Sequence, residues 1–175
     1  ELYNVKSLYK SWLDFLALSL EQKKILDYEG GVGYETKNAG LDSNTFDFKD
    51  NMHITMDYIK SGKLDSNEFS PLKESSAKVL NQTINLINRS IAKLFPDSSD
   101  QILLDVDDLV IRLLYYPPQK NKILASAHID KGLATLHLLE TRPGFQYMNQ
   151  DKEWQDISLS DNRGVFFVGF QGQYI

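Results

Sequence analysis

A chain of 175 residues, 42% hydrophobic and 25% charged, is long enough to bury a sizeable core and too apolar to be disordered throughout. Its net charge of −5 and pI near 5.2, with no dense Lys/Arg run, argue against nucleic acid as a partner. The absence of cysteine excludes disulfides, thiolate metal sites and cysteine nucleophiles and fits a reducing compartment; with no apolar run of membrane-spanning length and no signal peptide in view, a cytoplasmic location and no membrane partner are the expectation.

The first segment, "VKSLYKSWLDFLALSL", brings Val5, Leu8, Trp12, Phe15, Leu16 and Leu18 near helical spacing and predicts an amphipathic helix. Ser19 with Gln22 three residues on forms a capping-box pattern that opens a second, short helix. The stretch from Asp27 to Met56 is rich in Gly, Asn and Asp and reads as a loop with at most a short strand, which makes His53 a solvated loop side chain. In "LKESSAKVLNQTINLINRSIAKLF", Val79, Leu80, Thr83, Leu86, Ile87, Ile91 and Leu94 recur at three and four, predicting a long helix that Pro96 stops. Asp105, Asp107 and Asp108 lack the Gly and closing Glu of a calcium loop and read as a turn.

Beyond Asp108 the pattern changes. "LVIRLLYYPP" is β-branched and aromatic and reads as a strand ended by prolines, and "KILASAHI" and "LATLHLLE" read as strands after it. Pro143-Gly144 marks a turn, "GFQYMNQDKEWQDIS" a hairpin that packs Trp154, and "NRG" a turn into "VFFVGFQGQYI". Helices followed by short, closely spaced strands predict an α+β protein: a helical N-terminal region over 1–100 and an antiparallel barrel or jelly roll over 101–175, within one structural domain.

Chemistry concentrates in "SAHIDKGLATLHLLE". On an extended segment, side chains two apart share a face, so His128 and Asp130 can aim at one point. An imidazole and a carboxylate supply two of the three protein ligands of a two-His-one-carboxylate iron site, whose open positions oxygen chemistry requires. An H-x-D pair by itself is a common accident. His137 lies at odd separation from both residues, so an unbroken strand turns it to the other face and makes packing its expected role.

The order of motifs around the pair is more specific. Arg112, Tyr115-Tyr116-Pro117, His128/Asp130, Gly132–Leu136, Pro143-Gly144-Phe145-Gln146, Trp154 and Val165–Gly169 together resemble the isopenicillin-N-synthase-like group of iron(II)/2-oxoglutarate-dependent oxygenases. The ordered match covers about 109–172, and "FLALSLEQKKI" with "GVGYE" resembles the helical lead-in of that family more loosely. The resemblance implies helices packed on a double-stranded β-helix (a jelly roll), with Fe(II) bound by His128 and Asp130 and 2-oxoglutarate as cosubstrate. It implies oxidation of a small organic molecule by O2 (hydroxylation, desaturation or cyclisation), with 2-oxoglutarate converted to succinate and CO2. Tyr116 matches the second Tyr of the family's Tyr-Tyr-Pro strand and is expected to hydrogen-bond the cosubstrate's distal carboxylate. Lys131, beside the metal pair, and Tyr34, near the family's site mouth, are the substrate candidates, each set against an ordinary solvated or packing role.

The sequence departs from the family in places. The second iron-binding His and the Arg-x-Ser that anchors the cosubstrate would fall beyond Ile175, which predicts a jelly roll incomplete at its C-terminal side and a fragment of a longer chain, the alternative being a truncated, inactive descendant. A further chain segment or a subunit is then expected to cover the open end, because exposed sheet edges invite pairing. Leu114 stands where some members carry Asn, and Phe170 where an Asp is common. Three alternatives stay open: a 2-oxoglutarate-independent iron oxidase of the same fold, a catalytically inactive jelly-roll binding protein, and a zinc hydrolase, the last disfavoured because no second His lies at helical spacing.

Overall fold

A computed structural model of the chain describes residues 3–37, 49–97, 102–118, 124–159 and 163–175. Helix α1, Tyr3–Leu16, buries Leu8, Trp12 and Phe15, spaced four and three apart, and leaves Lys6, Lys10 and Asp14 to solvent. The Trp12 and Phe15 rings stack at 5.5 Å, and Phe15 meets Phe69 at 6.1 Å. Helix α2, Leu20–Lys24, starts at the expected capping box: Gln22 N donates to Ser19 Oγ at 3.2 Å, and Ser19 N donates to Gln22 Oε1 at 3.0 Å.

The stretch expected to be loop carries two strands, β1 at Gly33–Lys37 and β2 at Lys49–Thr55. The reason is a period of two hidden in a polar composition: Met52 and Ile54 are fully buried and alternate with the less buried His53 and Thr55. Gly33 begins β1 at φ +101°, and a Cβ there would sit 2.6 Å from Leu26 O, so the backbone crossing at this point requires glycine. Helix α3, Met56–Lys60, follows β2 directly, with Thr55 Oγ1 accepting from Tyr58 N at 3.1 Å.

The long helix α4 spans Ser70–Leu94, starting two residues before the segment expected to be helical, with Pro71 in its first turn, and ends at Phe95 before Pro96. Leu72, Val79, Leu80 and Ile91 are buried along it. Ser11 Oγ donates to Pro71 O at 3.2 Å and Ser75 Oγ to Ser11 Oγ at 3.3 Å, tying α1 to α4 through small residues. Asn88 holds the chain after α4 with two bonds to Leu104, Nδ2 to O at 2.9 Å and N to Oδ1 at 3.1 Å. The Asp105–Asp108 turn is a capped 3-10 turn over Val106–Asp108. Strand β3, Val110–Tyr115, then completes an antiparallel sheet in the order β1-β2-β3, with His53 opposite both Gly33 and Arg112.

The chain divides into two compact units: Lys6–His128, which holds everything above from Lys6 onward, and Glu1–Val5 with Ile129–Ile175. In the second, β4 (Ala134–His137) pairs antiparallel with β7 (Val165–Val168), and β5 (Phe145–Met148) pairs with β6 (Trp154–Ile157) as the expected hairpin. Asn149 and Lys152 close that hairpin; Asn149 Oδ1 accepts from Glu153 N at 2.9 Å, and Lys152 takes the left-handed conformation. Trp154, opposite Met148, is half exposed. His137 stacks on Phe145 at 5.0 Å and Phe145 meets Phe167 at 5.5 Å, so an aromatic file joins the hairpin to β4 and β7. A short 3-10 turn, Gln171–Tyr174, follows β7.

The class is therefore α+β with antiparallel sheets, as expected. Of the strand expected in "KILASAHI", the described part, 124–129, is not a strand: it has no ladder partner among the described residues, and without one its β-propensity does not hold it extended in a sheet. Residues 38–48 of the expected loop, the first two residues of that expected strand, 122 and 123, and Asn162 of the expected turn lie outside the described residues. No described helix is long and apolar enough to cross a membrane.

Candidate functional site

The segment from Ser126 to Asp130 has no regular secondary structure, so the strand alternation that was to align His128 with Asp130 does not apply to it. What fixes each residue is local. His128 ends the larger unit, is exposed, and has Nδ1 2.8 Å from Ser126 O. A carbonyl oxygen only accepts, so Nδ1 carries the proton and the lone pair of the neutral ring lies on Nε2.

Asp130, half-buried in the smaller unit, is held at both ends. Thr135 Oγ1 donates to Asp130 Oδ2 at 2.5 Å, and Phe170 N donates to Asp130 O at 2.7 Å. The bonds of Gly169 N to Leu133 O, 2.9 Å, and Gln171 N to Gly132 O, 3.2 Å, continue this seam. The bend at 130–133 is thus clamped against the turn that leaves β7. Gly169 makes the clamp possible, because a Cβ there would lie 2.2 Å from Gly132 O. Lys131 stands exposed on the bend.

In the larger unit Tyr116 is half-buried directly after β3, and the Lys49 ammonium lies 5.9 Å from its ring centroid. Lys49 is itself only 9% exposed, which is unusual for a lysine. Tyr115 pairs with Asp50 in the sheet. Tyr34 is buried; its ring edge meets Phe15 at 5.3 Å and its hydroxyl donates to Asp50 at 2.5 Å, and burial together with that carboxylate pushes its pKa well up. His53 lies on β2 rather than in a loop. Arg112 Nε donates to its Nε2 at 3.1 Å, Nδ1 lies 3.3 Å from Gly31 O, and Tyr28 meets the ring edge-on at 5.4 Å. His137 packs, as its position implied: Nε2 is buried without a hydrogen-bond partner among the described residues, and burial lowers its pKa against the opposing pull of Glu140.

The donor chemistry of His128 and Asp130 fits a divalent metal. An imidazole nitrogen and a carboxylate oxygen are donor types such a cation takes; here Nδ1 of His128 is held by a carbonyl and one oxygen of Asp130 by a hydroxyl. Among the described residues no three His, Asp or Glu side chains gather into a metal-binding group, so a facial triad needs a donor beyond them. Sequence reasoning missed Thr135, Lys49 and the Gly169–Phe170 clamp. All three act through contacts whose partners no spacing rule links, and only the apolar strand ending near a Gly pointed toward Gly169.

No protein-family model matches the chain, and no curated protein does. Solved structures do. A 2OG-Fe(II) oxygenase family protein from Caulobacter crescentus superposes with a TM-score of 0.75 at 21% identity, over 99% of this chain and 63% of its own. A full-length Neurospora crassa protein crystallised with alpha-KG gives 0.77 at 19% identity, over 98% and 61%. An oxygenase from Shewanella oneidensis gives 0.71 at 17% identity, over 99% and 65%. The chain thus has the fold of the 2OG-Fe(II) oxygenases, and it spans under two thirds of the length of these three structures.

Proposed function

We propose that the chain belongs to a non-haem Fe(II)- and 2-oxoglutarate-dependent oxygenase that oxidises a small organic molecule with O2, its strands forming the first part of a jelly-roll core. The observation that carries this reading is the fold likeness, which runs over 98–99% of the chain to proteins of that class. The Neurospora neighbour has been crystallised with alpha-KG together with thymine and with 5-formyluracil, which supports a small substrate beside the cosubstrate. The lack of cysteine supports a cytoplasmic setting.

In this reading His128 Nε2 and a carboxylate oxygen of Asp130 bind the iron. Bound iron and 2-oxoglutarate supply the oxidising chemistry, and the protein binds, orients and shields. The Tyr116 hydroxyl donates to the distal carboxylate of 2-oxoglutarate, and the Lys49 ammonium beside its ring adds positive charge there. Lys131, exposed next to Asp130, is placed to meet an acidic group on the substrate. Tyr34 is the weakest substrate candidate, because its ring packs on Phe15 and its hydroxyl is engaged by Asp50.

Anaerobic titration of the full-length protein with Fe(II), with and without 2-oxoglutarate, tests the reading. The expected result is a visible charge-transfer band that needs both components, and release of succinate once O2 is admitted. Asp130→Ala loses both. Iron uptake and substrate oxidation without any dependence on 2-oxoglutarate would shift the assignment to an iron oxidase. An absence of Fe(II) uptake would leave a binding protein.

A further inference from the structure

His137 is a titratable group with no part in the proposed oxidation. It lies on β4 two residues after Thr135, so both side chains stand on the same face of the β4–β7 pair. Thr135 Oγ1 donates to Asp130 Oδ2, which puts that carboxylate on this face as well. Phe167 of β7 stands opposite Thr135. Phe145 of β5 stacks on His137 at 5.0 Å, with the ring planes 13° apart, and meets Phe167 at 5.5 Å. Within the smaller unit, the acid proposed to bind iron therefore borders a wall of three flat rings.

His137 Nε2 lies in this wall, shielded from water and without a hydrogen-bond partner among the described residues. A buried polar atom in that state costs stability, and a ligand that pairs with it recovers the loss. Burial favours the neutral ring against the opposing pull of Glu140, so Nε2 offers either a lone pair or a hydrogen. Phe145 and Phe167 are half-buried, which leaves part of the wall open. Phe145 also belongs to a hairpin that, among the described residues, pairs only with itself, and its ring can turn without breaking the β4–β7 ladder.

We propose that this wall binds the substrate of the oxidation: a planar ring lies against Phe145 and Phe167, and a polar group on its edge pairs with His137 Nε2. The proposal rests on the reading of Asp130 as an iron ligand and names a substrate class for that site. Offset and edge-on contacts between rings favour a flat aromatic ligand over a saturated one of the same size. A ring edge with adjacent N–H and C=O groups satisfies Nε2 in either tautomer.

The experiment uses the full-length protein and two probes, 2-pyridone and 2-piperidone. Both carry the N–H and C=O edge, and only the first is planar and aromatic. Binding is followed at neutral pH by NMR of nitrogen-15-labelled histidine, first without metal and then with Mn(II). 2-Pyridone is expected to move the His137 Nε2 resonance, to bind about 3–10-fold more tightly than 2-piperidone, and to bind about 3–10-fold more weakly to His137→Phe. Bound Mn(II) is expected to broaden the protons of 2-pyridone in the wild type. An unmoved His137 resonance at saturating 2-pyridone overturns the proposal. So do equal affinities for the two probes, unchanged 2-pyridone affinity in His137→Phe, or 2-pyridone protons left sharp by bound Mn(II). No saturable binding up to about 10 mM overturns it too, since even a ligand this small reaches that affinity in a fitting site. Should His137→Phe not fold, the wild-type resonance and the comparison of probes decide. If Asp130→Ala binds Mn(II) as the wild type does, the iron reading has failed and this substrate assignment falls with it. That failure is told apart from the others because 2-pyridone still binds the metal-free protein and moves His137.

Discussion

His137 shows how one side chain can report the state of its unit. Its ring is stacked on Phe145, its Nε2 is buried without a described partner, and burial lowers its pKa below the ordinary 6.5. The folded state therefore prefers the neutral ring, while the unfolded chain takes up a proton near 6.5. Where the unfolded state binds more protons, stability rises with pH. The contribution of His137 is thus fully present above about 6.5 and is lost as pH falls from there through the folded pKa. Urea unfolding followed at pH 7.5 and at pH 5.5 should show the wild type losing stability in acid, and His137→Phe, which keeps a ring for the stack, losing less. An equal acid loss in the variant would mean that other groups carry the dependence. The sequence indicated that His137 packs, from its odd separation to His128 and Asp130, but the stack with Phe145 depends on a pairing that spacing does not reveal. His53 was misread as a loop residue for a related reason: Asp, Asn and His around it masked the alternation of Met52 and Ile54.

At the scale of elements, local rules served well where the partner lies nearby in sequence. The Ser19–Gln22 box, the apolar repeat of α4 and the hairpin at Asn149–Lys152 were all legible because each is built from residues within a few positions. The clamp on the 130–133 bend was not, since Phe170 and Gly169 lie about forty positions away and meet it only because β4 and β7 pair. That 124–129, the described part of "KILASAHI", is not a strand has the same origin: its composition suits a strand, but a strand exists only with a partner. The clamp gives a second prediction. In Gly169→Ala the new methyl meets Gly132 O at 2.2 Å, a backbone atom that cannot swing aside. Overpacking of this kind costs about 1–3 kcal/mol, and the forced displacement includes the carbonyl of Asp130, 2.9 Å from the same Cβ. Gly169→Ala should therefore lower the denaturation midpoint and weaken metal binding together. Unchanged stability would show that the seam can open without cost.

For the whole molecule, fold class and chemistry came from different sources. Composition and element order specified α+β, whereas the oxygenase reading depended on ordered motifs and is supported by structures that share only 17–21% identity with the chain. Such likeness establishes a scaffold, and function has to be argued from groups placed on it. Tyr116 offers the sharpest discrimination between a 2-oxoglutarate enzyme and an iron oxidase on the same scaffold. It stands apart from His128 and Asp130 in the chain, carries no metal-binding atom suited to iron in its neutral form, and has the buried Lys49 beside its ring. If its hydroxyl donates to the distal carboxylate, Tyr116→Phe removes one bond to a charged group, typically about 1.5–3 kcal/mol, and raises the KM for 2-oxoglutarate roughly tenfold or more. Metal affinity measured without cosubstrate should not change, and neither should the KM for the oxidised substrate. A variant in which Fe(II) binding falls along with 2-oxoglutarate affinity would point to a structural role for the ring over Lys49. One in which neither moves would remove Tyr116 from the cosubstrate and place the donor to its distal carboxylate on another residue.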